Sequence, residues 1–225
     1  HEALNESNKI WRPSRDIWHG EVQVVDVFGT VHVHRRSVVP IFNSADEVEK
    51  YICIDFDITM QKASELALMD QMHRQNIITT FGYQALEEED LQRLMHQAVQ
   101  WVCAGLNVRH ATLLMKEDAM STPQIQVGLG WVAGWVGRPA VLQPRPPSSE
   151  VHLAMPDEML QAHGISSLLA VPSKTNSEQI FTLVAATPEP RAFSNADRDF
   201  MRSLVHVLSA AKERHHAREH LTYLA

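Results

Sequence analysis

Residues 60 to 80 contain no proline and no glycine and are rich in Met, Ala, Leu, Gln and Glu. These are good helix formers, and a helix over that stretch spans about 32 Å. Asp57 or Thr59 can cap its start. Its apolar positions are Ala63, Leu66, Ala67, Met69, Met72 and Ile77, a thin stripe interrupted by Asp70, His73 and Arg74. A long helix with so thin a seam suits a linker or a dimer contact better than a core element. Phe81-Gly82 is expected to end it, and the chain divides around it.

Before this helix the pattern is that of strands. Glu21 to Asp26 is followed by a turn at Phe28-Gly29, and Thr30 to Ile41 then alternates. Val31, Val33, Ser37, Val39 and Ile41 share one parity, and His32 and His34 the other, as in a half-buried antiparallel strand. Asn43 to Asp46 is a second turn cluster. A third strand runs through Tyr51, Ile52, Cys53 and Ile54, which completes a meander.

After the helix, Glu87 to Asp90 opens a second one, with acids at the positive end of its dipole. Leu91, Leu94, Met95, Ala98, Val99 and Val102 follow helical spacing, and Gly105 is expected to close it. Strands are expected at 110–116, 124–128, 166–171 and 179–187. A stretch with five prolines and four glycines, 128–156, lies between the second and third of these. Loops of that length inside a domain are usually functional. A short helix over 157–163 follows it. A last helix begins near Ser194, which with Asp197 makes a variant capping box. Its inner face carries Phe200, Met201, Leu204, Val205, Leu208 and Ala211. The predicted core of this half is Leu94, Val99, Leu113, Leu169, Val171, Leu183 and Leu204.

Composition narrows the function. The chain has 225 residues, 44% of them hydrophobic and 21% charged, as in ordinary globular domains. Lys and Arg number 20 and Asp and Glu 27, a balance of 20 − 27 = −7. Phosphate contacts need Lys and Arg, so a nucleic-acid partner is not expected. No apolar run is long enough to span a membrane, and the first residues lack the pattern of a signal peptide. The two cysteines, Cys53 and Cys103, sit in apolar surroundings without CxxC spacing, so both are expected as small core residues in a reducing, cytoplasmic setting.

Trp18-His19-Gly20-Glu21, the turn with Gly29, Val39-Pro40-Ile41 and the run Tyr51 to Thr59 together resemble the C-terminal half of a PAS domain. The most specific feature is the Asp57-Ile58-Thr59 exit into a helix. Val27-Phe28-Gly29 stands where that family usually has Lys-Asp-Gly, and the family's first strands and ligand-flanking helices have no counterpart before Trp18. The resemblance implies a sensor; an intact PAS domain can hold haem or flavin, and no residue here supports either, so the cofactor is left unknown.

Residues 83 to 214 resemble a GAF domain. The resemblance rests on the helix from Leu86 to Val102, Gly128-Leu129-Gly130-Trp131 with Gly134, Ser148-Ser149, His163 to Ser167, and Arg191-Ala192-Phe193 with Asp197 and Phe200. The Asn-Lys-Phe-Asp-Glu set of cyclic-nucleotide-binding members is absent, and the stretch from Val151 to Leu160 is short for the family. The tail, Glu219 to Ala225, resembles the lead-in to a diguanylate cyclase (GGDEF) domain.

The expected architecture is therefore α+β, with antiparallel sheets of PAS and GAF type flanked by helices. It comprises a partial PAS unit (1–59), a connecting helix (60–82), a GAF domain (83–214) and an output helix (195–225). The expected role is sensory: binding or relaying a signal to a domain that makes or degrades cyclic di-GMP, with homodimerisation through the helices. The alternatives are the input region of a sensor histidine kinase and a ligand-free dimerisation scaffold. No serine, metal or phosphate motif of catalysis is present. The candidate ligand-binding residues are Trp131, Trp135, His152 and His163, where glycines, large aromatics and imidazoles converge beside a sheet. His32 and His34 share a strand face and could line a pocket. His216 and His220, one helical turn apart, could bind a metal or simply be solvated at a helix end.

Overall fold

The computed structural model describes residues 13–116, 121–140, 157–173 and 180–223. It divides into two compact units, residues 1–71 and 72–225.

The first unit is a three-stranded antiparallel meander of β1 (Trp18–Val25), β2 (Val31–Phe42) and β3 (Val48–Asp57). Its turns follow from side chains that imitate the backbone. Asp26 Oδ1 accepts from the N–H groups of Phe28 and Thr30, and Gly29 takes a positive φ of 84°. Asn43 Oδ1 does the same for Ala45 and Glu47. The parity expected for β2 is reversed: Val38 and Pro40 are its buried residues. Val31 is exposed on the opposite face, and so are Ile52, Ile54 and Phe56 of β3. Alternation gave the period correctly but could not say which of two half-apolar faces is covered. Cys53 is exposed rather than a core residue.

Helix α1 (Thr59–Glu87) begins in the first unit and ends in the second. Its start is fastened to β2: Ile58 N–H donates to the Val33 carbonyl at 2.8 Å, and Val33 N–H donates to Thr59 Oγ1 at 2.9 Å. Asp57 Oδ1 accepts from Thr59 N–H at 2.9 Å. The helix does not stop at Phe81-Gly82. Phe81 is fully buried, with Ile77 and Ala85 along the same face, and this burial outweighs the modest cost of one helical glycine.

The second unit has a four-stranded antiparallel sheet in the order β5-β4-β7-β6, formed by β4 (His110–Lys116), β5 (Gln124–Leu129), β6 (Ser167–Pro172) and β7 (Ile180–Thr187). Both faces are covered. On one face lie α2 (Leu91–Leu106) and α4 (Asn195–Tyr223), whose apolar stripes meet Ala111, Leu113, Val127, Leu169, Val171 and Leu183. All seven predicted core residues are buried. Helix α2 is capped by Asp90, which accepts from Gln92 and Arg93 N–H groups. It ends at Asn107, left-handed at φ 50°, rather than at Gly105. Gly105 is a packing residue: a Cβ there would stand 2.2 Å from the Phe200 ring.

The opposite face of the sheet carries Leu114, Ile125 and Val184. They are covered by Met159 from α3 (Asp157–Ala162), by Ala140, and by Trp131 and Trp135 of the loop after β5. Leu113 and Leu114 face opposite sides by ordinary strand alternation. The register shift between them, which pairs Leu113 with Val127 and Leu114 with Ile125, sends Val127 and Ile125 of β5 to opposite faces as well.

The expected capping box starts α4. Ser194 N–H donates to Asp197 Oδ2 at 2.8 Å, and Asp197 N–H donates to Ser194 Oγ at 3.1 Å. Arg74 of α1 and Arg191 converge on the same carboxylate, at 2.8 and 3.5 Å. Further along, Arg214 donates to the Ala85 carbonyl and Arg218 pairs with Glu89 at 3.5 Å. The contacts advance in the same sense along both helices.

Candidate functional site

Glycine chemistry positions the candidate residues. Gly128 sits at the end of β5 with the Trp131 ring against it, where a Cβ would stand 3.0 Å from the ring. Gly130 has φ +82°, and a Cβ there would lie 2.0 Å from the Arg109 carbonyl oxygen. Only glycine fits at position 130. The turn so made folds Trp131 back over the sheet, where its indole N–H donates to the Ala111 carbonyl at 2.9 Å.

Val132 N–H donates to His163 Nε2 at 3.0 Å, and His163 Nδ1 lies 2.9 Å from the Met159 carbonyl. The loop after β5 is thus tied to the residue that follows α3. The rings of Trp131 and His163 meet edge to face at 5.1 Å. A third ring, His110 at the start of β4, completes the group at 4.8 Å from Trp131 and 5.3 Å from His163. His110 is only 8% exposed, and its buried Nδ1 has no hydrogen-bond partner among the described residues. Burial, then the neighbouring His163 and Arg109, lower its proton affinity, with Glu189 acting the other way.

Trp135 packs on the apolar cluster of Leu114, Ile125, Ala140, Met159 and Val184, with the Arg138 guanidinium 4.8 Å above its ring. The structure therefore brings Trp131, Trp135 and His163 to one face of the sheet. His152 lies outside the described residues, as do Ser148 and Ser149. His110 was not singled out by its sequence context: it precedes an apolar strand, and nothing in that pattern separates a buried imidazole from an exposed strand end.

In the first unit, His32 and His34 do share a face, with ring centroids 6.4 Å apart. They stand among carboxylates. His32 lies 3.4 Å from both Asp26 and Asp57, and His34 lies 3.8 Å from Asp55 and 4.0 Å from Asp57. Arg36 grips Asp55 in a two-pronged pair at 2.7 and 2.6 Å, which holds that carboxyl below the ordinary range. Among the described residues no three His, Cys, Asp or Glu side chains converge as metal ligands. The side chains of His216 and His220 are not among those described.

A family model described as the GAF domain matches residues 90–211, more than half of the chain. The chain belongs to the GAF domain family. Its GAF unit is similar in fold to the GAF domain of a phosphoenolpyruvate-protein phosphotransferase from Coxiella burnetii, at 15% identity and a TM-score of 0.54 over 66% of this chain and 97% of that one. It is also similar to the phycoerythrobilin-bound GAF domain of a cyanobacterial phytochrome, at 14% identity and a TM-score of 0.53 over 66% of this chain and 99% of that one. A phycocyanobilin-bound GAF domain from a cyanobacterial phytochrome gives 16% identity and 0.52 over 65% and 97%. No curated protein matches the chain. The GAF unit is a sensory domain, and the α+β expectation holds. No described helix is long and apolar enough to cross a membrane.

Proposed function

We propose that this chain is a PAS–GAF input region that passes a signal to a cyclic-di-GMP-metabolising output domain following α4. The observation that carries the reading is helix α1. It starts on β2 through Ile58 and Thr59 and ends with Ile77, Phe81 and Ala85 in the GAF core. Arg74 meanwhile fastens it to the first turn of α4. A ligand that favours one arrangement of these helices shifts the population that the output domain meets. The three-stranded meander with its Asp57-Ile58-Thr59 exit supports the PAS assignment.

The signal would enter the GAF unit as a small molecule over the sheet face beneath Trp131 and Trp135, with His163 at its rim. Two similar GAF domains are bilin-bound, so the fold accommodates a small organic molecule. The acting unit is a cytoplasmic homodimer, with α1 contributing Met69 and Met72, both exposed along it.

Fusing a diguanylate cyclase domain after Ala225 tests the relay. Cyclase activity is compared between the native sequence and Arg74→Gln. Equal activity with equal response to cell extract rejects a path through α1 and α4. Sedimentation of the chain with and without Met69→Glu tests the dimer: a native chain that stays monomeric at high micromolar concentration removes it.

A further inference from the structure

We propose that His163 is a proton-operated latch: neutral, it fastens the loop of residues 130 to 137 to the end of α3, and protonated, it lets that loop go. The inference stands on the contacts of the three-ring group and holds whether or not the neighbouring apolar cluster takes a ligand.

The hydrogen-bond pattern defines the protonation state that the closed loop requires. The Met159 carbonyl, 2.9 Å from Nδ1, can only accept, so Nδ1 carries a hydrogen. The Val132 N–H, 3.0 Å from Nε2, can only donate, so Nε2 presents its lone pair. The neutral Nδ1–H form satisfies both partners. An imidazolium keeps the first bond and loses the second, because two donors then face each other across 3.0 Å.

The surroundings decide where a proton goes. Among the described residues, the titratable group facing the His163 ring is His110 on β4, at 5.3 Å. Behind His110 stand Arg109, which opposes a positive charge on it, and Glu189, which favours one. His110 is nearly fully buried and His163 is not. Burial first, and then the facing His163 and Arg109, lower the proton affinity of His110.

Because the latched form holds fewer protons than the released one, falling pH favours release. Val132 is next in sequence to Trp131, so release loosens the indole that covers the sheet. The loop's hold on the apolar cluster becomes a function of pH.

Amide hydrogen exchange of the chain, with no added ligand, tests this at about pH 8 and about pH 5.5. Once the intrinsic pH dependence is removed, Val132 should lose protection at the lower pH by about an order of magnitude, while amides of β4 and α4 stay unchanged. Trp131 emission should fall over the same range, since imidazolium quenches indole more strongly than imidazole does. In His163→Gln the side-chain carbonyl can still accept from Val132 and cannot gain a proton, so protection should be the same at both values. Protection of Val132 that ignores pH in the native chain overturns the proposal. So does a step that survives in His163→Gln, or one shared equally by β4 and α4. Should that variant not fold, nitrogen NMR of the unaltered chain decides. A bare Nε2 at pH 8 that gains a proton before pH 5.5 supports the latch, and the opposite tautomer, or no titration in that range, ends it.

Discussion

Arg74 Nη2 lies 2.8 Å from Asp197 Oδ1, which joins the helix entering the GAF core to the first turn of the helix that closes it. Asp197 is 3% exposed and serves three masters: the Ser194 backbone, Arg74 and Arg191. Burial opposes its ionisation. The Ser194 N–H and the two guanidinium groups outweigh that and hold its carboxyl below the ordinary range.

Asp197→Ala should destabilise the GAF unit by about 3–5 kcal/mol, because it removes the buried carboxylate shared by Arg74 and Arg191 and the capping box of α4. Urea unfolding measures the loss. The pH dependence has a definite sign. A carboxyl with a depressed folded value contributes stability that is complete above the ordinary value of 3.8 and is lost as pH falls below it. The native chain should therefore lose stability more steeply than Asp197→Ala below about pH 4. Parallel acid profiles would show that the ion pair does not titrate as described.

Two helical glycines should answer oppositely to alanine. At Gly82 a new Cβ meets nothing within 4 Å, so Gly82→Ala should stabilise by about 0.5–1 kcal/mol. At Gly105 it meets the Phe200 ring at 2.2 Å, so Gly105→Ala should cost about 1–3 kcal/mol. Thermal melts of the pair report the difference in sign. A gain at Gly105 would mean that the Phe200 ring moves aside freely.

Leu204 is fully buried in the face of α4 that meets the sheet. Leu204→Ala should cost about 2–5 kcal/mol by chemical denaturation. A loss below about half a kilocalorie would show that the cavity collapses without strain.

The cysteines should separate cleanly on alkylation. Cys53 is exposed and open to reagent. Burial pushes the Cys103 thiol up to about 11, so at neutral pH it holds almost no thiolate. Mass spectrometry of a timed iodoacetamide reaction should find Cys53 labelled well before Cys103. Equal rates would contradict the enclosure of α2.

The GAF core was legible because its signals are redundant. Leu94 and Val99 follow helical spacing, and Leu113 and Leu183 sit in strands buried on both sides, where the apolar run alone suffices. The glycine and tryptophan cluster was legible for the same reason: Gly130 stands where the Arg109 backbone approaches too closely for any other residue, and Gly128 lies tight against the Trp131 ring. The end of α1 was not legible, since Gly82 reads as a break until Phe81 and Ala85 are seen to be buried on either side of it. Cys53 misled because Ile52 and Ile54 beside it are themselves exposed, so apolar neighbours did not mean a covered strand. His110 needed the third dimension: its partners, Trp131 and His163, come from other elements.

The fastening of Thr59 and Ile58 to Val33 has a consequence for how α1 can carry information. The angular phase of the helix about its own axis is set by a strand, through two hydrogen bonds to a single residue. Each helical residue subtends about 100°. A change in which residue at the start of α1 is held by Val33 would therefore reach the rest of α1 as a discrete turn of its faces, a quantity that comes in steps and has no small values.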